Sequence, residues 1–259
     1  MEVHVNPVQP QIDALPAFSD NYVWRFTSAD GTWLVDPGEP RLVASALHDS
    51  PALAGILITH HHADHVGGLA ALPIDSSVRV IAPHDPRIGR ASERVAEGDE
   101  VDCGGLRFNV WEVPGHTSSH IAFLATDIVF CGDTLFSLGC GRLFEGSPAQ
   151  MHASLTRLAS LPRTTRFYPA HEYTEANGRF ALEVDPGNQD LQRYLQSVRS
   201  KRQREEASLP TSLAVELDCN PFLRCHSDSV KQSVEARQGH ELISELEVFA
   251  ALRQWKDVF

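Results

Sequence analysis

The chain has 259 residues, 42% of them hydrophobic and 22% charged, a balance that supports one sizeable core, with or without a small appended domain, and excludes a disordered chain. With 22 basic against 34 acidic residues the formal charge is −12, which argues against non-specific nucleic-acid binding, since that depends on a dense basic surface. Residues 1–16 show no basic segment followed by an apolar one, and no run approaches the roughly 18 apolar residues of a membrane span, so neither a secretory signal nor a membrane partner is expected.

Up to about residue 172, short apolar and β-branched runs end in turn residues, which is the pattern of strands. They fall at Thr32–Val35, Gly55–Thr59, Val78–Ala82, Leu106–Val113, Ile121–Ala125, Ile128–Cys131 and Arg166–Tyr168. Helical stretches interleave at Pro40–His48 and Pro148–Ser160, the second opened by Ser147 as N-cap and Pro148 as the first helical residue. Strands alternating with helices predict a layered α/β domain. Beyond Tyr173 the pattern turns helical: Asp190–Ala207 as one helix with Leu191, Leu195 and Val198 on one face, then Ser227–Arg237 and His240–Lys256 split by Gly239. The basic run from Arg199 to Arg204 is followed by Glu205 and Glu206 and reads as a solvated helix face. The domain boundary is therefore placed near residue 172, dividing 1–172 from a helical domain, 173–259, packed on the first. Cys103, Cys131, Cys140, Cys219 and Cys225 are scattered without CxxC spacing and read as reduced thiols of a cytoplasmic protein.

Histidine is the unusual residue. Four imidazoles and a carboxylate occupy six positions in Thr59-His60-His61-His62-Ala63-Asp64-His65, directly after a predicted buried strand. Such a set suits zinc, iron or manganese, and strand-end loops are where layered α/β folds place their sites. Alternation along an extended chain turns His61 away from its neighbours and leaves it a supporting or structural role. Later strand ends repeat the theme: His116 in Pro-Gly-His-Thr, Asp133 in Cys-Gly-Asp-Thr and His171 in Pro-Ala-His-Glu, with Gly115 and Gly132 allowing close backbone approach. Seven candidate ligands, five His and two Asp, exceed the four that one zinc usually accepts and suit two ions sharing a carboxylate.

The HxHxDH run, the glycine-preceded His, the Gly-Asp at a strand end and the late His together resemble the signature of the metallo-β-lactamase superfamily. That resemblance implies a four-layer αββα sandwich over 1–172 with a small C-terminal helical domain over 173–259. It implies His60, His62 and His116 around a first metal, Asp64, His65 and His171 around a second, and Asp133 bridging. Zinc is expected, with iron or manganese as alternatives. Asp36, in Leu-Val-Asp-Pro-Gly, matches an Asp that in the superfamily accepts a ring N–H from a ligating His; a simple turn-initiating role stays open.

Further segments resemble the glyoxalase II, or hydroxyacylglutathione hydrolase, family: Gly139-Cys-Gly-Arg-Leu-Phe-Glu-Gly146, His171-Glu-Tyr-Thr174, Leu252-Arg-Gln-Trp-Lys-Asp257, Asp20-Asn-Tyr22 and Asn220-Pro-Phe-Leu-Arg224. The resemblance implies that Arg142, Leu143, Phe144, Tyr173, Arg253 and Lys256 meet the glutathione part of a thioester, the cations facing its two carboxylates. Some members carry Tyr at the position of Phe144 and Lys at that of Arg142; the missing phenol removes one hydrogen bond, worth about 1 kcal/mol. The implied reaction is hydrolysis of S-(2-hydroxyacyl)glutathione, typically S-D-lactoylglutathione, to glutathione and D-lactate, the second step of methylglyoxal detoxification. Its nucleophile is a hydroxide held between the metals, so no side chain is assigned as the catalytic nucleophile. A thiolate of conjugate pKa about 8.5 leaves without a dedicated acid. The enzyme is expected to act as a monomer. Rival readings are a mono-iron glutathione-persulfide dioxygenase, a β-lactamase and a closed structural zinc protein. The Gly139–Gly146 run, the helical tail and the Cys-free seven-ligand set disfavour them.

Overall fold

The computed structural model describes residues 10–41, 47, 50–72 and 74–259. Strands β1 (Ile12–Ala17), β2 (Asn21–Ser28), β3 (Gly31–Val35), β4 (Leu53–Leu57), β5 (Arg79–Pro83) and β6 (Glu93–Val95) form one six-stranded sheet in that order. β1–β3 pair antiparallel and β3–β6 parallel. The second sheet runs β14-β13-β10-β9-β8-β7, built from β7 (Glu100–Cys103), β8 (Leu106–Glu112), β9 (Ile121–Ala125), β10 (Ile128–Gly132), β13 (Arg166–Pro169) and β14 (Thr211–Ser212). A small hairpin, β11 (Leu135–Phe136) and β12 (Gly139–Cys140), stands apart from both.

Because successive side chains of a strand point to opposite faces, each sheet builds two cores. Between the sheets lie Trp24, Phe26, Trp33, Phe108, Phe123, Phe130 and Tyr168. The Phe26 ring packs against Trp33, Phe108 and Phe130 at centroid distances of 6.2, 5.8 and 5.8 Å, close to the offset geometries aromatic pairs favour. The alternate residues Val23, Leu34, Ile56 and Val80 face outward on the first sheet and pack with Leu69 and Leu72, next to the short helix α1 (Ala63–Val66). On the second sheet Ala122, Val129, Cys131 and Phe167 face outward under α2 (Pro148–Ala159) and the C-terminal helices. The result is the four-layer sandwich that the resemblance implies.

The helices after residue 172 are α3 (Thr174–Val184), α4 (Gln189–Arg202), α5 (Leu213–Cys219), α6 (Asp228–Gln238) and α7 (Glu245–Asp257). Their Phe180, Val184, Leu213 and Leu252, with Phe222 of the 3-10 turn Pro221–Leu223, join the same core cluster as Val129, Met151 and Phe167. The seven predicted strands are present with ends shifted by at most two residues. Ser147 caps α2 as expected, with a capping box closed by Gln150. Two helices are shorter than predicted. The segment Asp190–Ala207 is helical only to Arg202, the last buried residue on it being Val198, and Glu205 adopts φ +59°; the polar residues beyond have strong helix propensity but no core to pack on. His240–Lys256 becomes helical only at Glu245, after the Ser244 cap. The predicted helix Pro40–His48 lies largely outside the described residues.

Glu216 of α5 ties the helical region to the hairpin. Its fully buried carboxylate accepts from Leu138 N (2.8 Å), Thr211 Oγ1 (2.6 Å) and Asn220 Nδ2 (2.9 Å). Asn220 Nδ2 also reaches the carbonyls of Phe136 and Gly139, so the turn in which Leu138 takes φ +60° is held from two sides. Burial lifts the Glu216 carboxyl from 4.5 to about 6. Between those pH values the native state therefore holds more protons than the unfolded chain, and stability falls as pH rises through the window, by about 2 kcal/mol in all. Urea unfolding of the parent and of Glu216→Gln between pH 4 and 7 is expected to show this slope in the parent and its loss in the variant.

Candidate metal centre

Parallel pairing puts the carboxyl ends of β3 and β4 on one edge of the first sheet. β10 and β13 run parallel, and β8 runs in the same sense through the antiparallel β9, so their carboxyl ends share one edge of the second sheet. The residues that follow these strands converge. Beyond β4 the buried Ile58 and Thr59 lead to His60, and His62 stands as the N-cap of α1, which carries Asp64 and His65. His116 follows β8, Asp133 follows β10 and His171 follows β13.

All seven predicted ligands meet at one centre. His62 Nδ1 lies 3.1 Å from His60 Nε2 and 3.0 Å from His116 Nε2. His171 Nε2 lies 3.4 Å from both Asp64 Oδ2 and Asp133 Oδ2. His65 Nε2 is 3.6 Å from Asp64 Oδ2 and 3.5 Å from Asp133 Oδ1, and His116 Nε2 is 3.4 Å from Asp133 Oδ2. Three sets of side chains could each hold an ion, with donor atoms within 4.8 Å of one another: His60, His62 and His116; His60, His65 and Asp133; and Asp64, His65 and His171. His65 Nε2 and Asp133 Oδ1 are buried without any hydrogen-bond partner. Leaving such atoms unsatisfied is costly, and a cation between them would satisfy both. The donor set and these two atoms fit a divalent metal.

The outward ring nitrogens show how the rings are aimed. His60 Nδ1 lies 3.1 Å from Thr59 Oγ1, which itself donates to Asp36 Oδ2 at 2.7 Å. His65 Nδ1 donates to Asp36 Oδ2 (3.0 Å), His116 Nδ1 to the Arg142 carbonyl (2.7 Å) and His171 Nδ1 to Asp20 Oδ1 (2.8 Å). Each partner can only accept from the ring, so each of these four imidazoles holds a hydrogen on the outward Nδ1 and aims its Nε2 at the centre. Asn21 Nδ2 steadies Asp64 Oδ2 at 3.0 Å. Burial and the neighbouring imidazoles depress His60 and His62. Burial would depress His171 too, but the carboxylates of Asp133, Asp64 and Asp20 outweigh it and lift the ring to about 10. His65 is raised in the same way by Asp133 and Asp36, against its burial. The carboxylate-rich side thus attracts positive charge, a proton in place of a metal.

Asp36 holds φ +51°, a region that short polar side chains tolerate better than others. It accepts from Thr59 N (2.8 Å) as well as from Thr59 Oγ1 and His65, so it is more than a turn initiator. His61 faces away from the centre, its ring nitrogens 3.5 Å from Asp85 and 3.6 Å from Glu145. Arg87 joins those two carboxylates, at 2.7 and 2.5 Å.

The centre opens into a cavity of about 490 Å³ whose remaining walls include Phe136, Arg142, Phe144 and Tyr173. Phe144, 63% exposed, stands edge-on to His62 and His116. The Tyr173 ring lies flat on His171, 4.6 Å between centroids. Arg142 is largely exposed, its guanidinium 6.0 Å from the Phe144 ring and 3.6 Å from the Asp257 carboxylate. Leu143, Arg253 and Lys256 are not among the wall residues. Leu143 packs against the core beneath the helices. Arg253 is buried and donates to the Cys140 carbonyl (2.9 Å) and to Asp257 (3.0 Å), while the Lys256 ammonium lies over Phe180 and Phe259.

Four residues of the site escape a reading of ligand motifs: Asp20, Asn21, Thr59 and His120. The only sequence signal for His120 is its place four residues after His116 in His-Thr-Ser-Ser-His. Replacing Asp36 by Asn keeps the size and the backbone tolerance but changes an acceptor for three donors into a weaker one. Asp36→Asn is expected to lower metal affinity about 10- to 100-fold with little loss of fold, as read by chelator competition alongside thermal unfolding.

Residues 172–259 match the family model described as hydroxyacylglutathione hydrolase C-terminus. Residues 18–88 and 82–171 match that of the metallo-beta-lactamase superfamily. A hydroxyacylglutathione hydrolase of Pseudomonas paraeruginosa is 49% identical over 256 residues, covering 96% of this chain and 99% of its own. Among solved structures, ETHE1 from Myxococcus xanthus superposes with a TM-score of 0.63 at 26% identity, covering 96% of this chain and 98% of that one. The protein TTHA1623, solved in a di-iron-bound form, gives 0.52 at 29% identity over 62% of this chain and 91% of its own.

Proposed function

The chain belongs to the hydroxyacylglutathione hydrolase family of the metallo-β-lactamase superfamily, and from that premise we propose that it hydrolyses S-(2-hydroxyacyl)glutathione, typically S-D-lactoylglutathione, to glutathione and a 2-hydroxy acid. The observation that carries the reading is a single cavity joining the His/Asp centre to an exposed arginine and three aromatic walls. In this reading His60, His62 and His116 would hold one divalent ion, Asp64, His65 and His171 would hold a second, and Asp133 would serve both. Zinc is the expected metal; the di-iron form of TTHA1623 supports iron as the alternative.

Ions bound in such a set polarise a carbonyl and lower the pKa of a bound water towards about 7. The protein's own contribution is to aim and to bind. Thr59, Asp36, Arg142 and Asp20 fix the ring tautomers, and the buried Asp133 is kept ionised because His65 and His171 outweigh its desolvation. Arg142 offers a planar fork to a glutathione carboxylate. Phe136 and Phe144 flank the path to the centre and exclude water from it. Tyr173, its phenol raised by burial and by Asp20, stays protonated and presents a neutral donor on the same side. The departing thiolate, with a conjugate pKa of about 8.5, needs no proton from a dedicated acid.

Residues 173–259 serve as the substrate-side domain. Arg253 steadies the β11–β12 hairpin, just before Arg142, through the Cys140 carbonyl, and Lys256 adds positive charge behind it. The five cysteines are free and buried, which supports a cytoplasmic setting, and the enzyme works as a monomer. No helix among the described residues is long and apolar enough to cross a membrane.

With S-D-lactoylglutathione at neutral pH, loss of thioester absorbance and release of free thiol are expected, both abolished by chelation and reduced at least about a hundredfold by Asp133→Ala. No turnover by protein carrying bound metal would sink the thioester reading. Arg142→Ala is expected to raise KM about tenfold with kcat little changed, the signature of lost uniform binding, in initial-rate kinetics on the same substrate.

A further inference from the structure

His120 lies outside the seven-residue set, yet both of its ring nitrogens are engaged, one of them by the backbone of Asp133 at the centre. We propose that His120 is a positioning residue: its neutral Nδ1–H imidazole anchors the Asp133 backbone and supports the ring of His60, and so sets the geometry in which a metal is held. This inference does not depend on the identity of the substrate.

The tautomer follows from the partners. His120 is fully buried. Nδ1 lies 3.0 Å from the Ile121 carbonyl, which can only accept, so Nδ1 carries the hydrogen. Nε2 lies 3.1 Å from the Asp133 backbone nitrogen, which can only donate, so Nε2 presents its lone pair. The Thr134 hydroxyl, 3.4 Å from Nδ1, lies on the donor side of the ring and does not compete for that lone pair. The ring also stacks on His60, 4.6 Å between centroids and 20° from parallel. His60 is thereby held on its flat face by His120 and at its Nδ1 edge by Thr59.

The local chain is shaped around this contact. Gly132, just before Asp133, has φ +46°, and a Cβ there would come within 2.9 Å of His120 Nε2 and overlap Thr59 Oγ1. Any other residue would push apart the ring, the threonine and the strand end from which the Asp133 carboxylate reaches His65, His116 and His171. One imidazole thus sets the backbone of the carboxylate shared by three histidines and the plane of a fourth.

The test separates hydrogen bonding from packing. Leucine at 120 fills much of the ring's volume but offers no acceptor to Asp133 N–H, whereas glutamine offers an acceptor and a donor without the flat ring. Zinc affinity of the full-length protein is measured by competition with a chromophoric chelator, together with the urea midpoint of the metal-free form. His120→Leu is expected to lose about 10- to 100-fold in zinc affinity, and His120→Gln to recover most of it, whatever the order of the two urea midpoints. Zinc held by the Leu variant as tightly as by the parent, or more tightly than by the Gln variant, overturns the proposal. Should the Leu variant fail to fold, long-range ¹H–¹⁵N spectra of the parent's imidazoles decide: an Nδ1–H, Nε2-acceptor signature for His120 supports the proposal, and the Nε2–H form overturns it.

Discussion

An imidazole has two nitrogens, and it can offer a lone pair to a chosen point only when something else occupies the other nitrogen. Most of what surrounds the centre meets that requirement. Thr59, Asp36, the Arg142 carbonyl and Asp20 each take one ring proton, and Asp36 serves two of these rings, directly for His65 and through Thr59 for His60. Each partner comes from a different strand end or loop, so the ring orientations hold only while both sheets keep their register. The inter-sheet aromatic core and the convergence of the seven His and Asp side chains are two aspects of one arrangement.

Electrostatics divides the centre into unlike halves. On one side His60 and His62 sit among other imidazoles, and burial keeps them neutral. On the other, Asp64 and Asp133 face His65 and His171, where carboxylates overcome burial and favour positive charge. Placing the half-exposed Asp64 next to the buried Asp133 is unfavourable unless cations compensate them. The unpartnered Asp133 Oδ1 and His65 Nε2 mark where the protein's own groups leave that compensation incomplete. The cavity wall continues the asymmetry, with Arg142 and the aromatic rings of Phe144 and Tyr173 meeting the ligand side chains at their rim.

The seven candidate ligands are legible in sequence because they are rare residue types clustered at the ends of short apolar runs, a pattern that needs no tertiary knowledge. The strands were legible for the same reason, since alternation and β-branching are local. The partners that aim the ligands were not. Asp20 reaches His171 across 151 positions, and Asn21 reaches Asp64 across 43; an Asp just before a strand or an Asn at its start carries no local sign of such a partner. His120 is masked by its nearness to His116 and by a hydrogen bond to the backbone of Asp133 that no side-chain motif encodes. The overrun at Asp190–Ala207 has the opposite cause: Arg, Lys and Glu favour helix, but the core that would reward it ends at Val198. Arg253 and Lys256 show a further limit, since a basic residue in a matching segment can be engaged by a backbone carbonyl or an aromatic face and stand back from the cavity.

Strand β14 spans only Thr211 and Ser212, yet it pairs antiparallel with β13 and caps the open edge of the second sheet. An uncovered edge strand is a template for pairing with another chain. A polypeptide ending near residue 172 would leave β13 bare along that edge and would uncover Phe167 and Met151 where the C-terminal helices now pack. In this chain the helical region therefore protects both an edge and an apolar face of the second sheet: its removal would leave a surface prone to self-association, and any grafted replacement would have to supply a strand as well as helices.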